Sequence, residues 1–419
     1  MKYICAIDIG SSKIAACLGC FKKGEFVNLW RDSIAVAGVK QGRVHDVSAL
    51  TDCLGKLLKK LHVKSGIKIK SAYLGIISQN IIAKHSQAVI ALAERGNKSV
   101  TRADIQRVDR QARILGSCLE EEIIHSVPLS YSVDNESEVV NPLGLYGHQL
   151  KVDLYLACAK ISYINTIIEI ANRLNLKVND ITLSGLAISQ AVFDSKETQG
   201  LDILCDIGKD ITQALIFKDG KLVYYQTLTL GGDDLTARLS QELSLPYSLS
   251  EEIKISYGRI QNSGEFPDRE IIVKKGNNYL TLNQNVIIEL LSKTSQHVAE
   301  SIRDIIRPQI LLFSLPFFSD KTTLYASGRT ACLDGFLEVL EVVIGVPVKV
   351  AKISKSALLM PHMRQHLLSG EPILNYLACF GLMTRAINLP NKQSVSSRYL
   401  RNPIFSIFNR IKEIYQEYF

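Results

Sequence analysis

The sequence predicts an α/β protein with two related lobes, and a repeated hairpin motif is the main observation behind this prediction. Asp8-Ile9-Gly10 follows one apolar run and precedes another, which is typical of two antiparallel strands joined by a tight turn. Asp206-Ile207-Gly208 stands in the same setting about half a chain further on. Each hairpin continues through a Lys/Gly turn into a third apolar strand, and a chain of 419 residues is long enough for two or more domains.

The residues at the first hairpin turn suit an anionic ligand. Gly10, followed by Ser11 and Ser12, can direct backbone N–H groups at an anion without interference from a Cβ atom. Lys13 adds a positive charge suited to a phosphate, and Asp8 at the strand end would face a hydrated Mg²⁺. Two such hairpins facing each other would hold the phosphates of a nucleotide from both sides.

Composition and charge exclude several classes of protein. The net charge of +8 is mild and permits contact with an anionic surface. No zinc-finger or basic-zipper pattern occurs, so we expect no nucleic-acid partner. No apolar run reaches the roughly 18 residues that a membrane-spanning helix needs. Nine scattered cysteines favour a reducing cytoplasm, and Cys17 and Cys20 lie inside a predicted strand, which favours a core position over a metal site.

Apolar spacing predicts the elements between and after the hairpins. Residues 30–39 read as a strand and 47–61 as a helix, whereas a long helix over 284–307 is expected to end at Pro308. The turn at Gly328 follows a strand and would allow the backbone to approach a planar ligand, although a plain strand–helix turn is the favoured interpretation of this motif taken alone.

These elements divide the chain into six predicted parts. A small α+β insertion interrupts the first lobe, and a smaller subdomain interrupts the second. The predicted ranges are 1–86 and 163–195 for the first lobe, 87–162 for the insertion, 196–229 and 305–389 for the second lobe, 230–304 for its smaller subdomain, 390–401 for a flexible linker and 402–419 for a terminal helix.

The terminal segment predicts an amphipathic helix on a tether. Asn402 is a good N-cap, Pro403 suits the first helical position, and apolar side chains form one stripe. Such a helix can dock on its own domain or lie in the plane of a membrane, and the tether with its Phe/Ile/Tyr-rich face favours the membrane. One copy would bind weakly, so the pattern suits a protein that polymerises there. The predicted membrane-facing residues are Ile404, Phe405, Ile407, Phe408, Ile411, Ile414, Tyr415 and Tyr418.

Over essentially its whole length the chain resembles FtsA, the actin-like bacterial cell-division family. No single motif decides this, but the order and spacing of the motifs do. They are Ala6-Ile-Asp-Ile-Gly-Ser-Ser-Lys13, Gly42-Arg-Val-His-Asp46, Val127-Pro128 with Tyr131, Asn141-Pro-Leu-Gly-Leu-Tyr-Gly147, Gly185-Leu-Ala187, Asp206-Ile-Gly208, the helix with Glu251, Lys254 and Gly258, the Gly328 turn and the C-terminal anchor.

The resemblance implies an actin/Hsp70-like two-lobe ATPase fold around an ATP cleft. By position, Gly10 to Lys13 and Gly208 would hold phosphates, with Lys209 beside them, and Asp8 and Asp206 would lie near Mg²⁺ through water. Glu251 and Lys254 would reach the ribose and adenine, and Gly328 would line the adenosine pocket.

The resemblance also implies partners and a location. It predicts a peripheral protein at the division septum, on the cytoplasmic face of the inner membrane, that polymerises into filaments. The C-terminal tail of the tubulin-like protein FtsZ would dock on residues 230–304, and other division proteins would bind the inserted subdomain.

Some residues depart from the family pattern. Lys209 and Asp210 stand where more glycine and then Thr are usual, and Arg329 stands in a turn of small residues. The side chain at 209 would either crowd the terminal phosphate or bind it. No residue is identified as a general base, so we expect nucleotide binding with at most weak hydrolysis.

Two other functions compete with an FtsA-like scaffold. A PilM-like pilus or secretion assembly protein would share the core, bind ATP and contact an inner-membrane partner, but would normally lack the terminal helix. A sugar-kinase-like phosphotransferase would need a carboxylate that activates the substrate, and no candidate is found.

Overall fold

The computed structural model describes residues 2–93, 96–134, 136, 138–193, 200–261, 269–313, 322–354 and 372–388. The predicted linker and terminal helix, with all the predicted membrane-facing residues, lie outside these ranges. Within them, no helix combines the length and apolar character that crossing a bilayer requires.

The first lobe is built on a five-stranded sheet in which the first hairpin is central. The strands and helices before the insertion are β1 (Lys2–Ile9), β2 (Lys13–Lys22), β3 (Glu25–Ala35), β4 (Val39–Lys40), β5 (Arg43–Val44), α1 (Val47–Ser65) and β6 (Ser71–Ile76). Asp46 caps α1 by accepting the Ala49 N–H at 2.9 Å, and Gly66 ends the helix at φ 72°.

The insertion is a small α+β unit, as predicted. Its elements are β7 (Ile82–Ala91), β8 (Lys98–Ser99), α2 (Arg102–Leu115), β9 (Glu121–Val133), β10 (Tyr146–Gly147) and β11 (Gln149–Lys160). The sheet order is β7-β11-β9, and α2 packs on β7 and β11. Thr101 and Asp104 form a capping box at the start of α2, so the predicted capping Thr is confirmed.

The chain then completes the first lobe and builds a second one with the same strand arrangement. The elements are α3 (Ile161–Arg173), β12 (Lys177–Leu183), α4 (Ser184–Val192), β13 (Leu201–Ile207), β14 (Thr212–Lys218), β15 (Lys221–Leu228), α5 (Gly232–Glu242), α6 (Tyr247–Tyr257), β16 (Glu270–Lys275), β17 (Asn278–Asn283), α7 (Gln284–Phe313), β18 (Thr322–Ser327), α8 (Phe336–Ile344), β19 (Val348–Val350) and α9 (Leu377–Asn388).

The two sheets have matching topologies. Their orders are β12-β6-β1-β2-β3 and β19-β18-β13-β14-β15. In each, the strand carrying Asp-Ile-Gly is antiparallel to the next strand and parallel to a later one. Asp8 pairs with Ala15 and Gly75, and Asp206 pairs with Gln213 and Ser327, so the two aspartates occupy equivalent positions. The two related lobes predicted from the repeated motif are confirmed.

Helices cover both sheets, and one pair crosses very closely. Consecutive residues of β1 and β2 are buried, so both faces of the first sheet are covered. Helix α9 packs on β1 and β6 and crosses α4 so closely that a Cβ at Gly381 would lie 1.6 Å from the Ala187 carbonyl oxygen. The small residues of both helices therefore serve packing.

Two element predictions were wrong. Of the strand predicted over 30–39, only residues 30–35 are in β3, and Val39 starts the separate strand β4. β3 begins at Glu25 because the turn after Lys22 lets it pair along the whole of β2. Helix α7 does not end at Pro308 but runs to Phe313. Pro308 has no N–H to donate to the Asp304 carbonyl. Because both residues are exposed, water can hydrate that carbonyl instead. The predicted domain limits stay predictions.

Candidate functional site

The carboxylate of Asp8 lies at the end of β1 and is held by the start of α4. Its Oδ1 accepts a hydrogen bond of 2.5 Å from the Ser184 hydroxyl. Burial raises the pKa of the Asp8 carboxyl, against the opposing effects of Ser184 and of the Lys13 charge. A Cβ on the neighbouring Gly75 would lie 2.9 Å from Asp8 Oδ1, so a glycine there leaves room for the carboxylate.

Asp206 occupies the equivalent position in the second lobe. Burial, followed by the negative charge of Asp8, raises the pKa of Asp206 to about 6, while hydrogen bonds from Ser327 and Gln213 act in the opposite direction. Asp206 therefore lies within electrostatic reach of Asp8. A divalent cation would relieve the repulsion between two such groups.

Both hairpin turns are tight, and the glycine N–H of each is hydrogen-bonded within its own turn. The Gly10 N–H donates to the Lys13 carbonyl at 3.1 Å, and the Gly208 N–H donates to the Ile211 carbonyl at 3.0 Å. A Cβ at Gly208 would lie 2.7 Å from the Ile211 carbonyl oxygen, so that turn excludes larger residues. The charge of Lys13 acts to lower the pKa of both Asp8 and Asp206, so Lys13 lies within electrostatic reach of both aspartates.

A turn between β4 and β5 links the two hairpins. The Gly42 N–H donates to the Ser11 hydroxyl at 3.3 Å, and the Gln41 N–H donates to Asp210 Oδ2 at 2.6 Å. The backbone φ angle is positive at both turn residues, 49° at Gln41 and 63° at Gly42. Asp210 is buried, and its Oδ1 has no hydrogen-bond partner among the described residues. Asp210 is thus a structural contact between the lobes.

Lys209 is paired on its own lobe. Its ammonium lies 3.8 Å from Asp233 Oδ1 and 5.9 Å from the centre of the Tyr247 ring. The Tyr247 hydroxyl also donates to Asp233. Because these groups share the lysine charge, a ligand phosphate would have to compete with them for Lys209.

Glu251 and Lys254 form an ion pair on α6 that also reaches α5. Lys254 Nζ lies 2.6 Å from Glu251 Oε2 and donates to the Gly232 carbonyl at 2.9 Å and to the Thr236 hydroxyl at 2.8 Å. Burial opposes the charged form of Glu251, but hydrogen bonds from Lys254 and Thr236 outweigh it and lower the pKa of the Glu251 carboxyl. Burial lowers the pKa of Lys254, against the attraction of Glu251.

The turn at Gly328 requires glycine. Its φ is 87°, and a Cβ there would lie 2.2 Å from the Ile207 carbonyl oxygen. Two residues later the Thr330 hydroxyl donates to the Gly208 carbonyl at 2.8 Å, and that carbonyl also accepts the Gly232 N–H at 3.0 Å. The predicted residues of the second lobe thus surround one region next to the second hairpin.

Sequence reasoning missed three residues that organise this region. Gln213 is fully buried; its Oε1 accepts from the Gly185 N–H at 3.3 Å and from the Tyr225 hydroxyl at 3.0 Å. Ser184 binds Asp8 in the first lobe, so the first turn of α4 contacts both lobes. The Ser-Gly helix start gave a signal for Ser184, whereas Gln213 and Thr330 gave none.

The groups present at the site are suited to binding phosphate together with Mg²⁺. The site offers two half-buried carboxylates, two tight glycine turns and lysine cations, a combination suited to a phosphate chain with a hydrated Mg²⁺. No group of three or more His, Cys, Asp or Glu residues with metal-binding spacing occurs in the part of the chain that the structure describes. Two aspartates with water ligands fit Mg²⁺, which keeps several of its waters.

Comparisons with known proteins agree with this architecture. The family model "SHS2 domain inserted in FTSA" matches residues 78–158, and the model "Cell division protein FtsA" matches residues 203–366. The chain is 27% identical over 293 residues to the cell division protein FtsA of Buchnera aphidicola from Schizaphis graminum, an alignment that covers 69% of each chain. It is 26% identical over 284 residues to FtsA of Pseudomonas aeruginosa, which covers 64% of this chain and 67% of that one.

Solved structures share the fold at low sequence identity. A PilM–PilN type IV pilus biogenesis complex has a TM-score of 0.61 at 15% identity and covers 92% of this chain and 99% of that one. MreB5 of Spiroplasma citri bound to ADP and a MamK double helical filament each have a TM-score of 0.52 at 10% identity and cover 93% of this chain and 99% of theirs. These likenesses show an actin-like fold, and the predicted fold class is confirmed.

Proposed function

The chain belongs to the FtsA family of cell division proteins, and we propose that it binds ATP, forms filaments on the cytoplasmic face of the inner membrane and tethers FtsZ there. The observation that carries the nucleotide part is the pair of equivalent hairpins, in which Asp8 and Asp206 occupy matching positions and the charge of Asp8 raises the pKa of Asp206.

Each part of the cleft has a proposed role. The turns at Gly10 and Gly208 would bind phosphate oxygens through backbone N–H groups. Mg²⁺, when bound, would neutralise phosphate charge, and Asp8 and Asp206 would hold it through water. Glu251 and Lys254 would contact the ribose and adenine beside the Gly328 turn. The ADP-bound MreB5 supports this proposal through its fold alone.

The membrane part rests on the amphipathic pattern of residues 402–419. A helix that lies in the membrane plane binds reversibly as a single copy, and an array of copies gains avidity. Filament formation would therefore determine how strongly the protein holds the membrane. The MamK structure is a filament of a protein with the same fold, which supports the proposal by analogy.

We place the FtsZ tail on the smaller subdomain of the second lobe, residues 230–304. The hairpin of β16 and β17 exposes two large apolar side chains there, Ile272 at 67% and Tyr279 at 74%. Large apolar side chains with so high an exposed fraction suit contact with a peptide partner. The insertion exposes Leu143, Leu145 and Tyr146, which we assign to other division proteins.

A PilM-like role is the second candidate. The PilM–PilN structure favours it through the fold alone, since its identity to this chain is 15%. The match of residues 78–158 to an insertion described for FtsA supports the division role instead. A phosphotransferase would need a carboxylate that activates its substrate. The two cleft aspartates are assigned to Mg²⁺, so they do not supply it.

Co-sedimentation with liposomes that contain anionic lipid tests the proposal. The full chain and a chain ending at Pro390 are compared with and without ATP. We expect only the full chain to pellet, and more of it with ATP. If neither chain pellets, the terminal helix belongs to the fold, and the PilM-like function gains weight. Nucleotide binding is measured separately, by calorimetry with ATP and Mg²⁺, so that each part can fail alone.

A further inference from the structure

One edge of the first-lobe sheet carries a row of lysines. β1 and β6 begin at this edge, β2 ends there, and β12 begins beside β6, with Lys177 paired to Ser71. All the lysines at these strand ends are exposed. They are Lys2, Lys22, Lys23, Lys68, Lys70 and Lys177.

Few carboxylates oppose these cations. Lys22 faces Glu25 across the hairpin turn, and the nearby Asp180 is paired with Arg385 at 2.8 Å. No ion pair is seen for Lys68, Lys70 or Lys177 within the described ranges. The edge therefore concentrates positive charge in a chain whose net charge is only +8.

Helix α9 ends at the same edge. Cys379 near the start of α9 donates to the Ala15 carbonyl at 3.4 Å, level with Asp8. Met383 lies against Gly19, which pairs with Ile4. The helix thus runs from the cleft toward the lysines, and five more residues at 1.5 Å each bring Asn388 about 7 Å further, to the level of the strand ends. Residues 389–419 continue from there.

We propose that this lysine edge is a second membrane contact, which binds the anionic headgroups of the bilayer beside the point where the tether begins. The proposal rests on the proposed function, because the terminal helix supplies the primary anchor. Each lysine near an anionic surface strengthens binding several-fold, and the effect vanishes at high salt. The cleft lies at the other end of β1, about 20 Å away, so nucleotide exchange stays on the side away from the membrane.

A charge-neutralising variant of the full chain tests the proposal. Lys68→Gln, Lys70→Gln and Lys177→Gln are combined and compared with the same three positions changed to Arg. The matched control combines Lys274→Gln, Lys293→Gln and Lys349→Gln, which remove equal charge from the second lobe. Binding is measured by co-sedimentation with phosphatidylcholine vesicles, with and without phosphatidylglycerol, and nucleotide affinity reports folding.

On anionic vesicles we expect the edge variant to bind at least about tenfold more weakly, while the Arg variant and the control keep wild-type binding. On neutral vesicles all should bind alike. Equal binding of edge variant and wild type to anionic vesicles overturns the proposal, as does equal weakening of the control. An edge variant that instead loses binding to a DNA duplex assigns the edge to nucleic acid. If the chain ending at Pro390 binds as well as the full chain, the anchor in the proposed function fails while the lysine edge stands.

Discussion

The Asp210 carboxylate accepts a hydrogen bond of 2.6 Å from the backbone N–H of Gln41, and these two residues belong to opposite lobes. Because Gly42 also donates to Ser11, one short turn contacts both Asp-Ile-Gly hairpins. A movement of either hairpin on ligand binding would therefore alter the contact between the two lobes. The second oxygen of Asp210 is buried and has no partner among the described residues, so the carboxylate keeps a free acceptor at the hairpin.

Asp210→Asn should strengthen ATP binding by about fivefold and ADP binding by less. The amide oxygen can still accept the Gln41 N–H, but the negative charge that repels a terminal phosphate is gone, a difference on the order of 1 kcal/mol. Asp210→Gly removes the acceptor as well and should loosen the contact between the lobes. Calorimetric titration with each nucleotide measures both effects.

Glu252→Gln is the control for Asp210, because it removes one exposed charge from the same lobe. It should leave both affinities unchanged. Weaker ATP binding by Asp210→Asn would show that the carboxylate assists the ligand, for example through a cation, and would contradict the repulsion argued here.

The sequence predicted the repeated parts of the fold well and the non-local contacts of the candidate site poorly. Asp8, Gly10 and Gly208 were identifiable because a strand and the turn after it are specified by a few consecutive residues. Gln213 was not, because its role depends on Gly185 and Tyr225, which only folding brings near it. Pro308 misled the prediction for a related reason, since an exposed helix face tolerates a proline that local rules treat as a stop.

Gly328→Ala should destabilise the protein by at least about 2 kcal/mol and abolish nucleotide binding. The residue has φ 87°, and the added Cβ would lie 2.2 Å from the Ile207 carbonyl oxygen. Gly345→Ala is the matched control: its φ is 79°, but nothing lies within 4 Å of the added Cβ. The control should cost about 1 kcal/mol. Thermal melts of both variants measure the difference, and equal losses would mean that φ alone, without the clash, sets the cost.

Lys254→Met should cost about 2–3 kcal/mol of stability, whereas Glu251→Gln should cost about 1 kcal/mol. Methionine leaves the Glu251 carboxylate without its cation and removes one of the donors to the Gly232 carbonyl, which keeps the Thr236 hydroxyl. Glutamine can still accept a hydrogen bond from Lys254. Urea unfolding measures both losses.

The double variant with Lys254→Met and Glu251→Gln separates the two causes. If the unpaired carboxylate causes most of the loss, the double variant should be more stable than Lys254→Met alone. Simple addition of the two losses would instead assign the cost to the contacts between α6 and α5.

His125 should make the protein sensitive to mild acid. Burial, followed by the positive charge of Arg385, lowers the pKa of His125 from 6.5 to about 3, and its Nε2 accepts the Leu183 N–H at 3.2 Å. The unfolded chain binds a proton below about pH 6.5 and the folded one does not, so this stability is complete above pH 6.5 and is lost as pH falls toward 3.

The expected loss from His125 is about 1.4 kcal/mol per pH unit, or about 2 kcal/mol at pH 5. His125→Gln keeps an acceptor for Leu183 but cannot titrate, so its stability should change much less between pH 7 and pH 5. Urea unfolding at both pH values measures the difference, with His62→Gln at an exposed position of α1 as the control. A His125→Gln variant with the wild-type pH dependence would assign the acid sensitivity to other groups. Because Leu183 precedes the first turn of α4, which contacts both lobes, protonation of His125 should also weaken nucleotide binding before the whole protein unfolds.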